Sequence, residues 1–258
     1  MTQSLLSEPP DTSKWLVISP HLDDAVFSCG RLLAASPGST VVTVFAGVPS
    51  DDGKAPPWDK AAGFASGRAA MQARHLEDRA ALEILRAQPL WLPFLDRQYC
   101  EENTPQTITP ALREVIDRHP EHRILAPLGL FHSDHALVFD AVWAMLHEHA
   151  HVLADAGDIA EADAGGCELD RWCFYEDMPY RRLSGLVAAR VRQWREQGYT
   201  VRRTDLIAPE LAGGDFAAVK VEAMQAYESQ LGLLDPEALI DLNTSESYWQ
   251  LQWSPVSP

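Results

Sequence analysis

Two short stretches of this chain crowd imidazoles and carboxylates together: Ser19-Pro20-His21-Leu22-Asp23-Asp24 and His132-Ser133-Asp134-His135. A catalytic zinc site needs three nitrogen or oxygen ligands and an open position for water. It also needs a carboxylate that stays off the metal and takes the water's proton. Adjacent aspartates suit that division, because neighbouring side chains in an irregular turn diverge: one can reach a metal while the other faces a substrate. A plainer reading stands beside it. Asp23-Asp24 can cap the helix that follows, a role that stabilises by about 1 kcal/mol, with His21 in a solvated turn.

The two stretches can act together only if the fold brings them to one place. Trp15 to Ile18 is an apolar run that ends at Ser19-Pro20 and predicts a strand feeding a loop. Ala25 to Ala35 carries Val26, Cys29, Leu32 and Leu33 at helical spacing. Ser39 to Phe45 is β-branched and almost continuously apolar, as a strand covered on both faces should be. Ala46 to Gly67 reads as a long functional loop. Ala69 to Ala87 predicts a helix, Leu90 to Leu95 a third strand interrupted by Pro93, Ile108 to Arg118 a helix, and Arg123 to Pro127 a fourth strand. A helix follows from about Asp134 to His151, then an acidic surface loop over Ala154 to Gly166. Further strands are expected at Trp172 to Tyr175 and Tyr199 to Ile207, a terminal helix at Phe216 to Leu231, and a loose tail from Ser245.

Strands alternating with helices, joined by right-handed crossovers, predict an α/β Rossmann-like three-layer sandwich with a mostly parallel sheet. Ligands of such folds bind outside the carboxyl ends of the strands. Both clusters fall there, one after the first strand and one after the fourth. The whole chain, 1–258, is expected to form one domain with its core over about 14–232.

These residues resemble the LmbE-like, or N-acetylglucosaminyl-phosphatidylinositol de-N-acetylase-like, zinc deacetylases. Pro20-His21-Leu22-Asp23-Asp24 is similar to the family's His-Pro-Asp-Asp-Glu signature, and His132-Ser133-Asp134-His135 to its His-Pro-Asp-His. The resemblance implies that His21, Asp24 and His135 hold Zn2+, or another divalent ion such as Fe2+. It implies Asp23 as the general base, and His132 as the group that polarises the carbonyl or protonates the leaving amine. Arg74 and Asp96 sit where the family keeps comparable residues. Tyr175-Glu176-Asp177-Met178-Pro179-Tyr180 and Tyr227-Glu228-Ser229-Gln230 resemble segments of a bacterial branch. Asp96, Arg74, Tyr175 and Tyr180 are therefore the substrate-binding candidates. The chain departs from the pattern at Leu22, which replaces Pro and removes a source of loop stiffness, and at Ala25, which replaces Glu. Leu130 stands where some members have an oxyanion-stabilising Tyr, so either His132 and the metal suffice or Tyr175 or Tyr180 substitutes. The activity implied is removal of an N-acetyl or N-acyl group from an amino sugar or glycoside-like small molecule. A non-catalytic sugar- or metal-binding relative is the quieter alternative.

A rival motif lies further on. His147-Glu148-His149-Ala150-His151 is a literal His-Glu-x-x-His, the helical pattern of zinc proteases. At about 1.5 Å per residue it sits some 20 Å along the helix from the other cluster, with no obvious third ligand at a protease-like spacing, Glu168 or Glu176 being the arguable ones. The plain reading is a solvated helix end, where His is at home against the dipole.

Composition narrows the partners. With 37 acidic residues against 21 Lys and Arg, the net charge of −16 opposes nucleic acid and anionic lipid. No apolar run reaches membrane-helix length, and the first residues lack a signal-peptide pattern. Cys29, Cys100, Cys167 and Cys173 form no Cys-x-x-Cys pair and read as free thiols. A cytoplasmic home is the expectation, with a small N-acetylated substrate as partner and a homo-oligomer left open.

Overall fold

The computed structural model describes residues 14–50, 53–100, 102–155, 169–208, 211 and 213–253. Its centre is a seven-stranded sheet in the order β3-β2-β1-β4-β5-β7-β6. The strands are β1 (Trp15–Ser19), β2 (Thr40–Thr43), β3 (Gln88–Trp91), β4 (Arg123–Pro127), β5 (Trp172–Tyr175), β6 (Tyr199–Thr204) and β7 (Tyr248–Trp253). The pairs among β3, β2, β1, β4 and β5 are parallel, whereas β7 runs antiparallel to both β5 and β6. The chain winds outward from β1 to β2 and β3 on one side, then returns to β4 on the other. The crevice between β1 and β4 is thus the switch point, where doubly wound sheets bind ligands.

The helices are α1 (Asp24–Ala35), α2 (Pro57–Ala61), α3 (Gly67–Ile84), α4 (Pro105–Asp117), α5 (Ser133–Asp155), α6 (Leu186–Glu196), α7 (Phe216–Met224), α8 (Glu228–Leu231) and α9 (Pro236–Leu242). The alternation of β1 shows how the two faces are filled. Leu16 and Ile18 pack with Ile108, Leu112, Val138 and Phe139 from α4 and α5. Trp15 and Val17 pack with Leu32 and Leu33 of α1, Leu82 of α3, Ala223 of α7 and Leu242 of α9. Every residue of β1, β2 and β5 is buried. Burying a large apolar side chain contributes roughly 1.5–3 kcal/mol, and the continuous apolar character of these strands follows from two covered faces.

The expected α/β sandwich with a mostly parallel sheet is present, with differences in detail. The third strand lies earlier than expected, at Gln88–Trp91, and takes in Pro89, which an edge strand tolerates because one side of its backbone has no strand to bond. The long loop after β2 contains α2, with Pro57 at its start, where a missing N–H costs nothing. The terminal helix is two helices. It breaks where Tyr227 turns inward, fully buried, and donates its hydroxyl to Asp78 Oδ1 at 2.8 Å. Residues from Ser245 on are not a loose tail as far as Trp253. They include β7, which is inserted between β5 and β6 with six paired residues against β6. Helix α6 was not anticipated at all. The predicted acidic loop at Ala154–Gly166 lies outside the described residues from position 156 on. No helix among the described residues is long and apolar enough to cross a membrane.

Candidate metal and catalytic centre

Three arms build the site, each leaving the carboxyl end of a strand. The first is the turn from β1 into α1. Ser19 Oγ donates to the His21 carbonyl (2.6 Å) and accepts from the Ala25 N–H (3.0 Å), tying the turn to the first turn of the helix. The His21 N–H donates to Asp24 Oδ2 at 2.9 Å. Leu22 is buried against Ala46 and Met71, so packing supplies the stiffness that a proline would have given. Asp23 occupies the N-cap position yet makes no capping hydrogen bond. The capping explanation for Asp23 fails on that observation, and the side chain lines a cavity of about 570 Å³ instead.

The second arm joins β4 to α5. It reverses direction through two left-handed residues, Gly129 (φ 70°) and Phe131 (φ 61°). A Cβ on Gly129 would lie 2.5 Å from Phe139 Cβ and 3.0 Å from the His135 carbonyl. Only glycine allows this approach. The third arm follows β5 and carries Asp177, fully buried.

The arms converge on a compact donor set. Asp24 Oδ2 lies 3.1 Å from His21 Nδ1 and 3.0 Å from His135 Nε2. His21 Nε2 lies 3.1 Å from Asp134 Oδ2 and 3.9 Å from Asp96 Oδ2. His135 Nδ1 lies 2.6 Å from Asp177 Oδ1. Ligand atoms of His21, His132 and His135 fall within 4.8 Å of one another, as do those of His21, Asp96 and Asp134. The expected trio of His21, Asp24 and His135 is thus assembled, with His132 beside it.

The charges follow from burial and from these contacts. Burial and the neighbouring Asp24 carboxylate push the Asp23 carboxyl up to about 6. Burial works against ionisation of Asp24, but His135 and His21 outweigh it and hold that carboxyl far below its usual range. Burial also opposes charge on His135, and Asp24 with Asp177 reverses this, raising the imidazole to about 9. His132 goes the other way: burial and the two nearby imidazoles lower it. Its Nδ1 accepts from the Asp134 N–H at 3.3 Å, so the ring proton sits on Nε2.

A divalent cation fits these donors. His135 Nε2 is buried without a hydrogen-bond partner despite its closeness to Asp24. Two imidazoles and one carboxylate are the borderline nitrogen and oxygen set that zinc or iron(II) takes.

The substrate candidates divide. Asp96, Arg74 and Tyr180 line the cavity. The Arg74 guanidinium is held by Asp59 at 2.6 Å, both side chains being almost fully buried, and Tyr99 also donates to Asp59. Gln98 Nε2 donates to Asp96 Oδ2 at 3.1 Å. The Tyr180 ring is 5.1 Å from that of His135 and 6.1 Å from that of His132. Tyr175 is a correction. It is fully buried, its hydroxyl donates to the Ile18 carbonyl at 3.0 Å, and it does not line the cavity. Its place inside β5 turns it into the core. Of the two candidate tyrosines, that leaves Tyr180 as the one that lines the cavity.

Sequence reasoning passed over Asp177, Asp134 as a partner of His21, and the Asp59–Arg74 pair. Asp177 carried a usable signal, since it stands just past the end of an apolar strand, where the other site residues also stand. Asp59 gave none. The rival His147 is far from the site. Its Nδ1 bonds the Trp143 carbonyl at 3.0 Å and its ring packs on Trp143 and Tyr199. The His151 side chain lies outside the described residues.

The family model for the GlcNAc-PI de-N-acetylases (PIG-L) matches residues 16–146, just over half of the chain, including both motifs. No curated protein sequence matches. Among solved structures, the A40926 pseudoaglycone deacetylase Dbv21 is 23% identical with a TM-score of 0.67, covering 96% of this chain and 100% of its own. A triple mutant of the deacetylase of the teicoplanin biosynthetic pathway is 25% identical with a TM-score of 0.66, covering 95% and 100%. The zinc-inhibited form of teicoplanin deacetylase Orf2 is 23% identical, also with a TM-score of 0.66, covering 95% and 100%. The chain belongs to the GlcNAc-PI de-N-acetylase family, and it is an N-deacetylase with the LmbE-like deacetylase fold.

Proposed function

We propose that this deacetylase is zinc-dependent and removes an N-acetyl group from an amino sugar or glycoside-like small molecule. The observation that carries the reading is the junction of the two motifs: Asp24 between His21 and His135, with the uncapping Asp23 and His132 facing the same cavity. His21, Asp24 and His135 would hold the ion. When bound, it supplies Lewis acidity to the amide carbonyl and makes a water easier to deprotonate. His132 is a three-imidazole alternative to Asp24 as a ligand, but Asp24 is the carboxylate that touches both other imidazoles. That leaves His132 free for the substrate.

The chain's own groups then share the proton work. Asp23 takes a proton from the attacking water, whose oxygen adds to the carbonyl carbon. His132, with its proton on Nε2, donates to the carbonyl oxygen as negative charge builds there. Tyr180 stands beside it as a second donor. Asp23 returns its proton to the nitrogen as the C–N bond breaks, giving acetic acid and an amine, and the acid's proton passes to the amine to leave acetate and an ammonium. The buried Arg74–Asp59 pair and Asp96 form the polar wall against which a sugar's hydroxyls can bond. The glycoside-like substrate is supported by the relatives, an A40926 pseudoaglycone deacetylase and a deacetylase of the teicoplanin biosynthetic pathway.

The test is Asp23→Ala, assayed by amine release from N-acetyl sugars alongside metal content. We expect zinc to stay bound and kcat to fall about 10²–10⁴-fold, the usual worth of a general base. Intact activity would remove Asp23 from the mechanism. A wild-type protein that takes up no divalent metal would remove the zinc reading.

A further inference from the structure

We propose that Asp177 is the positioning residue that turns His135 so that Nε2, not Nδ1, is its metal-binding atom. This rests on the zinc reading above. The Asp177 side chain is fully buried, and its two oxygens are used on different parts of one arm. Oδ1 lies 2.6 Å from His135 Nδ1, and Oδ2 accepts the Leu130 N–H at 3.3 Å. A carboxylate at hydrogen-bond distance is an acceptor, so Nδ1 keeps its proton and Nε2 is the nitrogen that can give up its own to a metal. Nε2 is also the ring nitrogen that lies 3.0 Å from Asp24 Oδ2 and is buried without a hydrogen bond.

The two contacts make Asp177 a clamp. Leu130 and His135 bracket the reversal through Phe131, and His135 opens the first turn of α5. Neither could shift relative to the other without losing one carboxylate oxygen. Asp177 comes from the end of β5, the strand beside β4. It therefore references the second motif to the sheet itself rather than to its own loop. His21 has a matching arrangement, with Nδ1 towards Asp24 and Nε2 towards Asp134. The difference is that Asp134 belongs to the motif, whereas Asp177 lies outside both motifs. Carboxylate partners of this kind orient metal-binding imidazoles and typically set about 10–100-fold of metal affinity.

The experiment measures zinc affinity by chelator competition, using Zn2+ alone, for the full-length wild type and for Asp177→Asn. Asparagine keeps the size and one acceptor oxygen and removes the charge. The expected result is zinc binding weakened about 10–100-fold, with the thermal midpoint of the zinc-free protein nearly unchanged. Equal affinities in the two proteins would overturn the proposal. A second measurement needs no variant: ¹⁵N–¹H correlation of the histidine rings in the wild-type protein. In the zinc-loaded protein, a His135 ring protonated at Nδ1 with Nε2 shifted by the metal is expected; a loaded ring protonated at Nε2, with the metal on Nδ1, would overturn the assignment. Failure of the wild type to bind zinc at all is a different result, and it would strike the zinc reading rather than the role of Asp177.

Discussion

Two histidines of α5 meet opposite fates. At the amino end, His135 lies between the carboxylates of Asp24 and Asp177, fully buried, on the crevice where the sheet changes direction. Twelve residues on, or about 18 Å along the helix axis, His147 bonds a backbone carbonyl of its own helix and packs its ring at an angle against Trp143 and Tyr199. The two are the same residue type in the same helix, and His147 opens the better-known sequence motif. What separates them is the neighbourhood that the sheet supplies. The amino end faces the carboxyl ends of β1, β4 and β5, where loops deliver carboxylates from distant parts of the chain. The region around His147 meets an aromatic wall, where an imidazole is one more flat ring.

The largest effect should come from His135→Ala. Removing a ligand ought to weaken zinc binding by more than the roughly 100-fold that loss of an orienting partner costs, and deacetylation should fall with it. Zinc uptake measured by elemental analysis decides this; undiminished uptake would leave Asp24 between two imidazoles without the metal role argued for it.

Gly129→Ala should come next, and its effect is on stability. The position has φ 70°, and the new Cβ would meet Phe139 Cβ at 2.5 Å. Backbone strain and overpacking together predict at least about 2 kcal/mol of destabilisation, seen as a lower urea midpoint at unchanged slope. A midpoint equal to that of the wild type would mean that the reversal before α5 relaxes freely, and the precise placement of the amino end would lose its structural basis.

The difference between the two histidines also marks what the sequence could reveal. Strands β1, β4 and β5 were legible because two covered faces demand unbroken apolar runs, and both motifs stand immediately beyond such runs. Asp177 stands in the same relation to β5. Its role was still hidden, because nothing local says that its oxygens reach Leu130 and His135. Strand β7 was hidden for a related reason. Tyr248–Trp253 alternates large and polar residues near the end of the chain, and only pairing with β5 and β6 makes it a strand. Leu186–Glu196 was missed because its arginines mask a narrow apolar stripe, in which Val191 and Trp194 are the buried members. Tyr175 failed as a site residue for the opposite reason: the site is reached only just after it, at Asp177, Met178, Pro179 and Tyr180, whereas Tyr175 still belongs to β5, a strand buried on both faces.

The smallest effect belongs to His147→Ala, and it is the sharpest test of the comparison. The imidazole was expected either as a metal ligand or as a solvated helix end, and the structure gives it neither place. Helix α5 continues to Asp155, and the ring is half-buried at 4.6 Å from Trp143. Its one hydrogen bond goes to a carbonyl already engaged by helix geometry, so losing it costs about 0.5–1.5 kcal/mol, and the ring contact adds a similar amount at most. The variant should therefore lose about 1–2 kcal/mol of unfolding free energy while zinc stoichiometry and kcat stay at the wild-type level. Loss of zinc in His147→Ala, with zinc retained in His135→Ala, would move the metal about 18 Å along α5 and reverse the assignment of the two histidines.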